Sequence, residues 1–258
     1  MIAASPWIAL AALTLLWLFS GPDQARRAWA LAALATLALF LALRALPQLV
    51  PGVHRIGDAQ DWIGSLLGLA GVLGVAALLV GKGMLDWRAA GITLAQARDS
   101  MPIAVGITTV TLGVNYALMS LSNFQLPSVP LATWLYQATL PGLVEETVFR
   151  GVLLVLAERA VAARHARWDV LGARIGWDGL LVTLAFLALH GISLGTVLGV
   201  LPAALLYLWL RQRTGSLLLP IVAHNVSVRR RHLDGVGAYD QDGGPRVAGS
   251  RTATELGL

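Results

Sequence analysis

The sequence predicts an all-α, polytopic membrane protein. Two observations carry that prediction. Of its 258 residues, 57% are hydrophobic and only 13% are charged, with a mean hydropathy of +0.70, far from the balance of a water-soluble domain. The apolar residues are also gathered into runs, most of them near the length of about 20 residues that a helix needs to cross the hydrocarbon core.

Taken in order, the runs cover residues 5–20, 28–46, 63–80, 102–121, 131–156, 179–192 and 194–210. The first has no basic residue ahead of it and no small-residue cleavage site behind it, so it reads as a span rather than a removable signal peptide. An eighth run, 216–228, is too short to cross the bilayer perpendicularly; at 1.5 Å per residue it would reach only about 20 Å. The polar stretch 82–100 is expected to form an interfacial amphipathic helix, with Leu85, Trp87, Ile92 and Leu94 on its apolar side. Beyond Val228 the chain turns to RRRHLDGVGAYDQDGGPRV and onward, rich in Gly, Arg and Asp, a composition that predicts a disordered polar tail over 229–258.

The net charge of +5 arises from 19 basic residues, all arginine except Lys82. They sit in the breaks between apolar runs, where they orient helices rather than bind nucleic acid. Arg26 and Arg27, then Lys82, Arg88 and Arg98, then Arg159, Arg164, Arg167 and Arg174, then Arg211 and Arg213 follow every second run, and the alternate breaks hold only Arg44 and Arg55. By the positive-inside rule the N-terminus lies outside the cytoplasm. The arginine- and alanine-rich composition without cysteine reads as bacterial, which makes the plasma membrane the expected location. The absence of cysteine also excludes disulfides and thiolate metal sites.

Glu145, Glu146 and Arg150 lie inside LPGLVEETVFRGVLLVLA, with apolar residues on both sides. Ionised groups at membrane depth cost about 2.5–3.5 kcal/mol each even on the lenient scales, and chains that keep them generally use them. Glu146 and Arg150 are four apart and can pair on one helix face, while Glu145 is rotated by about 100° and faces elsewhere. A purely structural role, both carboxylates neutralising Arg150, is incomplete because it sets two acids against one base. His190, four residues after Phe186, and His224, followed by Asn225, lie in two further apolar runs. Either histidine alone would read as an interhelical hydrogen bonder. Together with the acidic pair they form the set that water activation needs, as general base and orienter or as metal ligands. No HExxH spacing accompanies them.

These three motifs, Glu145-Glu146-x-x-x-Arg150, Phe186-x-x-x-His190 and His224-Asn225 preceded by RTGSLLLPIVA, resemble in order those of the CPBP intramembrane proteases, which comprise type II CAAX prenyl endopeptidases and bacteriocin-processing or immunity proteins. The resemblance implies about seven to eight helices enclosing a polar intramembrane cavity, with residues 1–100 as N-terminal helices and interfacial segment and 101–228 as the catalytic core. It implies that Glu145 and His190 activate a water, that His224 helps hold the oxyanion, that Glu146 and Arg150 shape the site, and that Phe186 and Asn225 lie at the substrate or oxyanion side. It is compatible with zinc on Glu145, His190 and His224 and equally with a metal-free glutamate mechanism. The substrate it implies is a hydrophobic, membrane-associated peptide, CAAX-like or otherwise. The third motif departs from the family at Val228, where the family pattern HxxxN has asparagine. That departure leaves the oxyanion site one donor short and keeps open a catalytically silent binding or immunity protein, with a proton-coupled transporter as a third reading.

Overall fold

The structure, a computed structural model, describes residues 5–50, 59–121, 131–161, 165–191 and 193–235. Nine helices carry the described chain: α1 (Ser5–Phe19), α2 (Gln24–Ala45), α3 (Ala59–Gly81), α4 (Met101–Leu121), α5 (Leu131–Glu146), α6 (Leu154–Val161), α7 (Trp177–Leu189), α8 (Leu194–Thr214) and α9 (Leu218–Gly235). Short 3-10 turns occupy Leu46–Leu49 and Arg98–Ser100, and a π-helical segment, Thr147–Leu153, joins α5 to α6.

Local chemistry explains where the helices begin and end. The α1–α2 turn passes through Gly21 at φ +70°, and Asp23 then caps α2 by accepting from the backbone N–H groups of Ala25 at 2.9 Å and Arg26 at 3.3 Å. At the other end Pro47 cannot continue the i→i−4 ladder, so α2 tightens into the 3-10 turn with Arg44 in its last helical turn.

Packing brings α1 against α7, α2 against α3 and α6, and α5 against α9. Edge-on ring contacts run through the centre: Phe40 of α2 meets Phe149 of the π segment at 6.4 Å between centroids, and Phe149 meets Phe186 of α7 at 5.2 Å. The exterior is unusually apolar, with Trp7, Leu31, Leu78, Val110, Leu194 and Leu198 all more than half exposed. An outer surface of that kind suits lipid rather than water. Among the described residues, Gln24–Leu49 and Trp62–Gly81 are each long and apolar enough to cross a membrane.

Three sequence expectations need correction. The stretch 82–100 is a chain of turns and not an amphipathic helix, ending in the 3-10 turn Arg98–Ser100. Gly83 and Gly91 take φ +66° and +71°, which breaks helical continuity. The segment is instead pinned to the α8–α9 turn by Leu217 N–H donating to Gly91 O at 3.0 Å and Ser216 Oγ to Thr93 O at 2.7 Å. Second, the fold is not purely α. Trp168–Val170 and Ala173–Ile175 (β1 and β2) pair antiparallel, with Trp168 opposite Ile175. Leu171 at φ 48° and Gly172 at φ 78° make the turn, the positive-φ pair that a two-residue hairpin prefers. Third, α9 does not stop at Val228: its backbone stays helical to Gly235, so 18 residues span about 27 Å. The tail expected from 229 therefore begins as helix, and residues 236–258 lie outside the described residues.

Candidate active site

The polar residues of three separate runs converge on one place. Glu145 and Glu146 end α5, Arg150 lies in the middle of the π segment, His190 caps the C-terminus of α7, and His224 sits one and a half turns into α9. Isolated π segments occur disproportionately at functional sites, and this one follows the acidic pair without a break.

Glu146 and Arg150 are fully buried, at 0% and 1% exposure. Arg150 Nη1 donates to Glu146 Oε1 at 3.4 Å and Nη2 to the Ala204 carbonyl of α8 at 3.0 Å. The guanidinium also lies over the Phe186 ring, 4.1 Å from its centroid, a cation–π contact that further compensates its burial. The same Glu146 Oε1 accepts from His224 Nδ1 at 2.7 Å. Because the carboxylate accepts there, His224 carries a proton on Nδ1, and in the neutral imidazole Nε2 faces outward as a lone pair. Tyr207 of α8 stacks on the His224 ring at 4.9 Å and 15°, fixing the plane in which that lone pair points.

His190 is set the same way by a different partner. Its Nδ1 donates to the Phe186 carbonyl at 3.0 Å, and a carbonyl can only accept, so in the neutral imidazole Nε2 is again the free acceptor. The two rings pack together, with centroids 4.6 Å apart.

Both Nε2 atoms face Glu145. Its Oε2 is 3.7 Å from His190 Nε2 and 3.7 Å from His224 Nε2, and that oxygen is buried with no hydrogen-bond partner among the described residues. The other oxygen, Oε1, lies 3.5 Å from Arg44 Nη1. Arg44 is the residue that sequence reasoning missed as part of the site, having counted it as a loop charge. It supplies the second cation that two carboxylates require.

Asn225 is placed otherwise than the resemblance implies. Its Oδ1 accepts from Gly142 N–H at 2.7 Å and its Nδ2 donates to Thr139 O at 3.0 Å. Both ends of the amide are thus spent on the α5 backbone around Pro141, which interrupts that helix. Asn225 clamps α5 to α9 and does not reach toward Glu145.

A metal fits this arrangement poorly. Glu145, His190 and His224 are the right donor types for zinc, yet among the described residues no group of three or more histidine and carboxylate side chains stands close enough to hold a metal ion.

With this geometry established, comparison with known proteins is informative. Residues 127–227 match the family described as Type II CAAX prenyl endopeptidase Rce1-like. That segment is similar to the Rce1-like family, in agreement with the CPBP resemblance of its motifs, and the similarity supports an intramembrane protease kind of function. The match includes Glu145, Glu146, Arg150, Phe186, His190, His224 and Asn225 and stops one residue short of Val228. No curated protein and no solved structure matches the chain.

Proposed function

We propose that the chain is an intramembrane endopeptidase that hydrolyses a peptide bond of a hydrophobic, membrane-associated substrate with a water activated by Glu145, His190 and His224. The observation that carries this reading is the convergence of three acceptors, Glu145 Oε2 and two imidazole Nε2 atoms, each nitrogen 3.7 Å from that oxygen. Such separations are too long for direct hydrogen bonds and suit a bridging water, about 2.8 Å from each group.

A water held there can donate one hydrogen to Glu145 Oε2 and the other to one of the two imidazole Nε2 atoms, which directs its lone pairs away from those two acceptors. Glu145 removes one proton as the water oxygen bonds to the scissile carbonyl carbon, and the carbonyl π pair moves onto oxygen to give the tetrahedral oxyanion. Collapse re-forms the carbonyl and breaks the C–N bond, and the proton on Glu145 passes to the departing amine. His190 and His224 orient the water. Glu146 and Arg150 act through His224, holding its tautomer and ring. The apolar exterior lets a hydrophobic peptide reach the site from the bilayer, with CAAX-like tails as one substrate class. In this reading the helices form seven to eight membrane passages with the N-terminus outside the cytoplasm.

The test is cleavage of a panel of hydrophobic peptides by purified full-length protein in lipid bicelles. His190→Ala should lower turnover at least about a hundredfold, the scale for losing a positioned acid–base group. Turnover within a few-fold of wild type would remove His190 from the mechanism. Activity lost on chelation and restored by zinc would replace the water-only scheme. Peptide binding without any cleavage would favour the silent binder that the Val228 departure keeps in view.

A further inference from the structure

We propose that Arg44 supplies the oxyanion donor of this site, in the place where the family pattern uses an asparagine and this chain has Val228. The inference rests on the endopeptidase reading and adds a catalytic residue to it from α2, outside the segment 127–227 that matches the family.

Elimination leads to Arg44. Most N–H donors around Glu145 are already engaged: His224 Nδ1 by Glu146, His190 Nδ1 by the Phe186 carbonyl, Arg150 Nη1 and Nη2 by Glu146 and the Ala204 carbonyl, and one hydrogen of the Asn225 amide by Thr139 O, while Arg150 Nε has no partner among the described residues but is buried. Arg150 is also buried at 1% exposure beneath Phe186. The Arg44 side chain, by contrast, is 41% exposed; its guanidinium lies 5.9 Å from the Phe40 ring centroid, and among the described residues Nη1 approaches Glu145 Oε1 at 3.5 Å. A guanidinium presents five N–H donors in a planar fork and can serve two acceptors at once.

Geometry and charge agree with that assignment. Arg44 faces one oxygen of the carboxylate whose other oxygen faces the two imidazoles. The two oxygens of a carboxylate are closer together than one hydrogen bond is long, so a carbonyl attacked by a water at Oε2 lies within reach of the fork. In the ground state Arg44 is paired with an ionised Glu145. As Glu145 takes the proton from water it loses its charge, and the negative charge reappears on the carbonyl oxygen. The cation therefore exchanges a neutralised partner for a newly charged one, an interaction stronger in the transition state than before it, which is the condition for raising kcat.

Steady-state kinetics of the full chain in bicelles would test this with Arg44→Ala, Arg44→Lys and, in parallel, Glu145→Gln. Arg44→Ala should lower kcat by about 10²–10³-fold, the usual loss for one oxyanion donor, with KM nearly unchanged. Added guanidinium should restore part of that turnover, whereas ammonium or sodium at equal ionic strength should not. Arg44→Lys, which keeps the charge without the fork, should fall between, and its kcat decides the matter if Arg44→Ala fails to accumulate. Wild-type kcat in either variant, or a raised KM at unchanged kcat, would overturn the proposal, the latter marking a ground-state contact with substrate. If Glu145→Gln keeps wild-type turnover, the endopeptidase reading itself fails. If Glu145→Gln is inactive while Arg44→Ala is not, only the role of Arg44 fails.

Discussion

At the scale of single residues, the site works by fixing tautomers. His190 and His224 each spend Nδ1–H on an acceptor that cannot donate, the Phe186 carbonyl in one case and Glu146 in the other, so both present Nε2 to the same carboxylate oxygen. Glu146 is therefore a support for chemistry performed elsewhere. Its removal should register first as instability. Glu146→Gln leaves Arg150 buried without its ion partner, a change that typically costs about 3–5 kcal/mol, and should markedly lower the thermal denaturation midpoint in detergent. An unchanged midpoint would mean that the Ala204 carbonyl and the Phe186 ring suffice to compensate Arg150. The five ionisable residues of the three motifs were legible in the sequence because charge inside an apolar run is conspicuous. Arg44 was not, since it lies 101 positions before Glu145 and a single basic residue at the end of an apolar run reads as an ordinary loop charge.

At the scale of elements, one long run became three structures. Residues 131–156 read as a single span, whereas the chain forms α5, a π segment and α6 through Val161. A π turn has no residue-type signature, so periodicity could not announce it. Pro141 weakens α5, and the structure shows how this is repaired: Asn225 bonds Gly142 N–H and Thr139 O on either side of the proline. Gly142 is required there, because a side chain at that position would collide with the Asn225 amide and the Ile221 carbonyl. Asn225→Ala should therefore cost about 1–3 kcal/mol of stability, chiefly the penalty for leaving the part-buried Gly142 N–H unpaired, and should leave kcat within a few-fold of wild type. A large loss of kcat at unchanged thermal stability would place Asn225 in the chemistry instead. The β1–β2 hairpin escaped detection because three-residue strands carry no periodicity and its turn puts Leu171, not a glycine, at positive φ.

At the scale of the whole molecule, several apolar runs and helices share their ends to within a few residues, because Pro, Gly and Asp mark those ends, as at α1, α2 and α3. Besides 82–100 and 131–156, the last helix departs, where Arg229, Arg230 and Arg231 suggested an end that the backbone does not make. Arginine is a good helix former in water; it interrupts an apolar pattern without interrupting a helix. The bundle's principal achievement is convergence: α2, α5, the π segment, α7, α8 and α9 each contribute one or two polar groups to a single interior point while the exterior remains apolar. The central claim, that this point is a hydrolytic centre built on Glu145, is tested most directly by comparing hydrophobic-peptide cleavage by the purified wild-type chain and by Glu145→Gln. Gln preserves the volume but cannot accept the water's proton, so the variant should insert and bind peptide normally while cleavage falls to background. Wild-type turnover by Glu145→Gln would contradict the account.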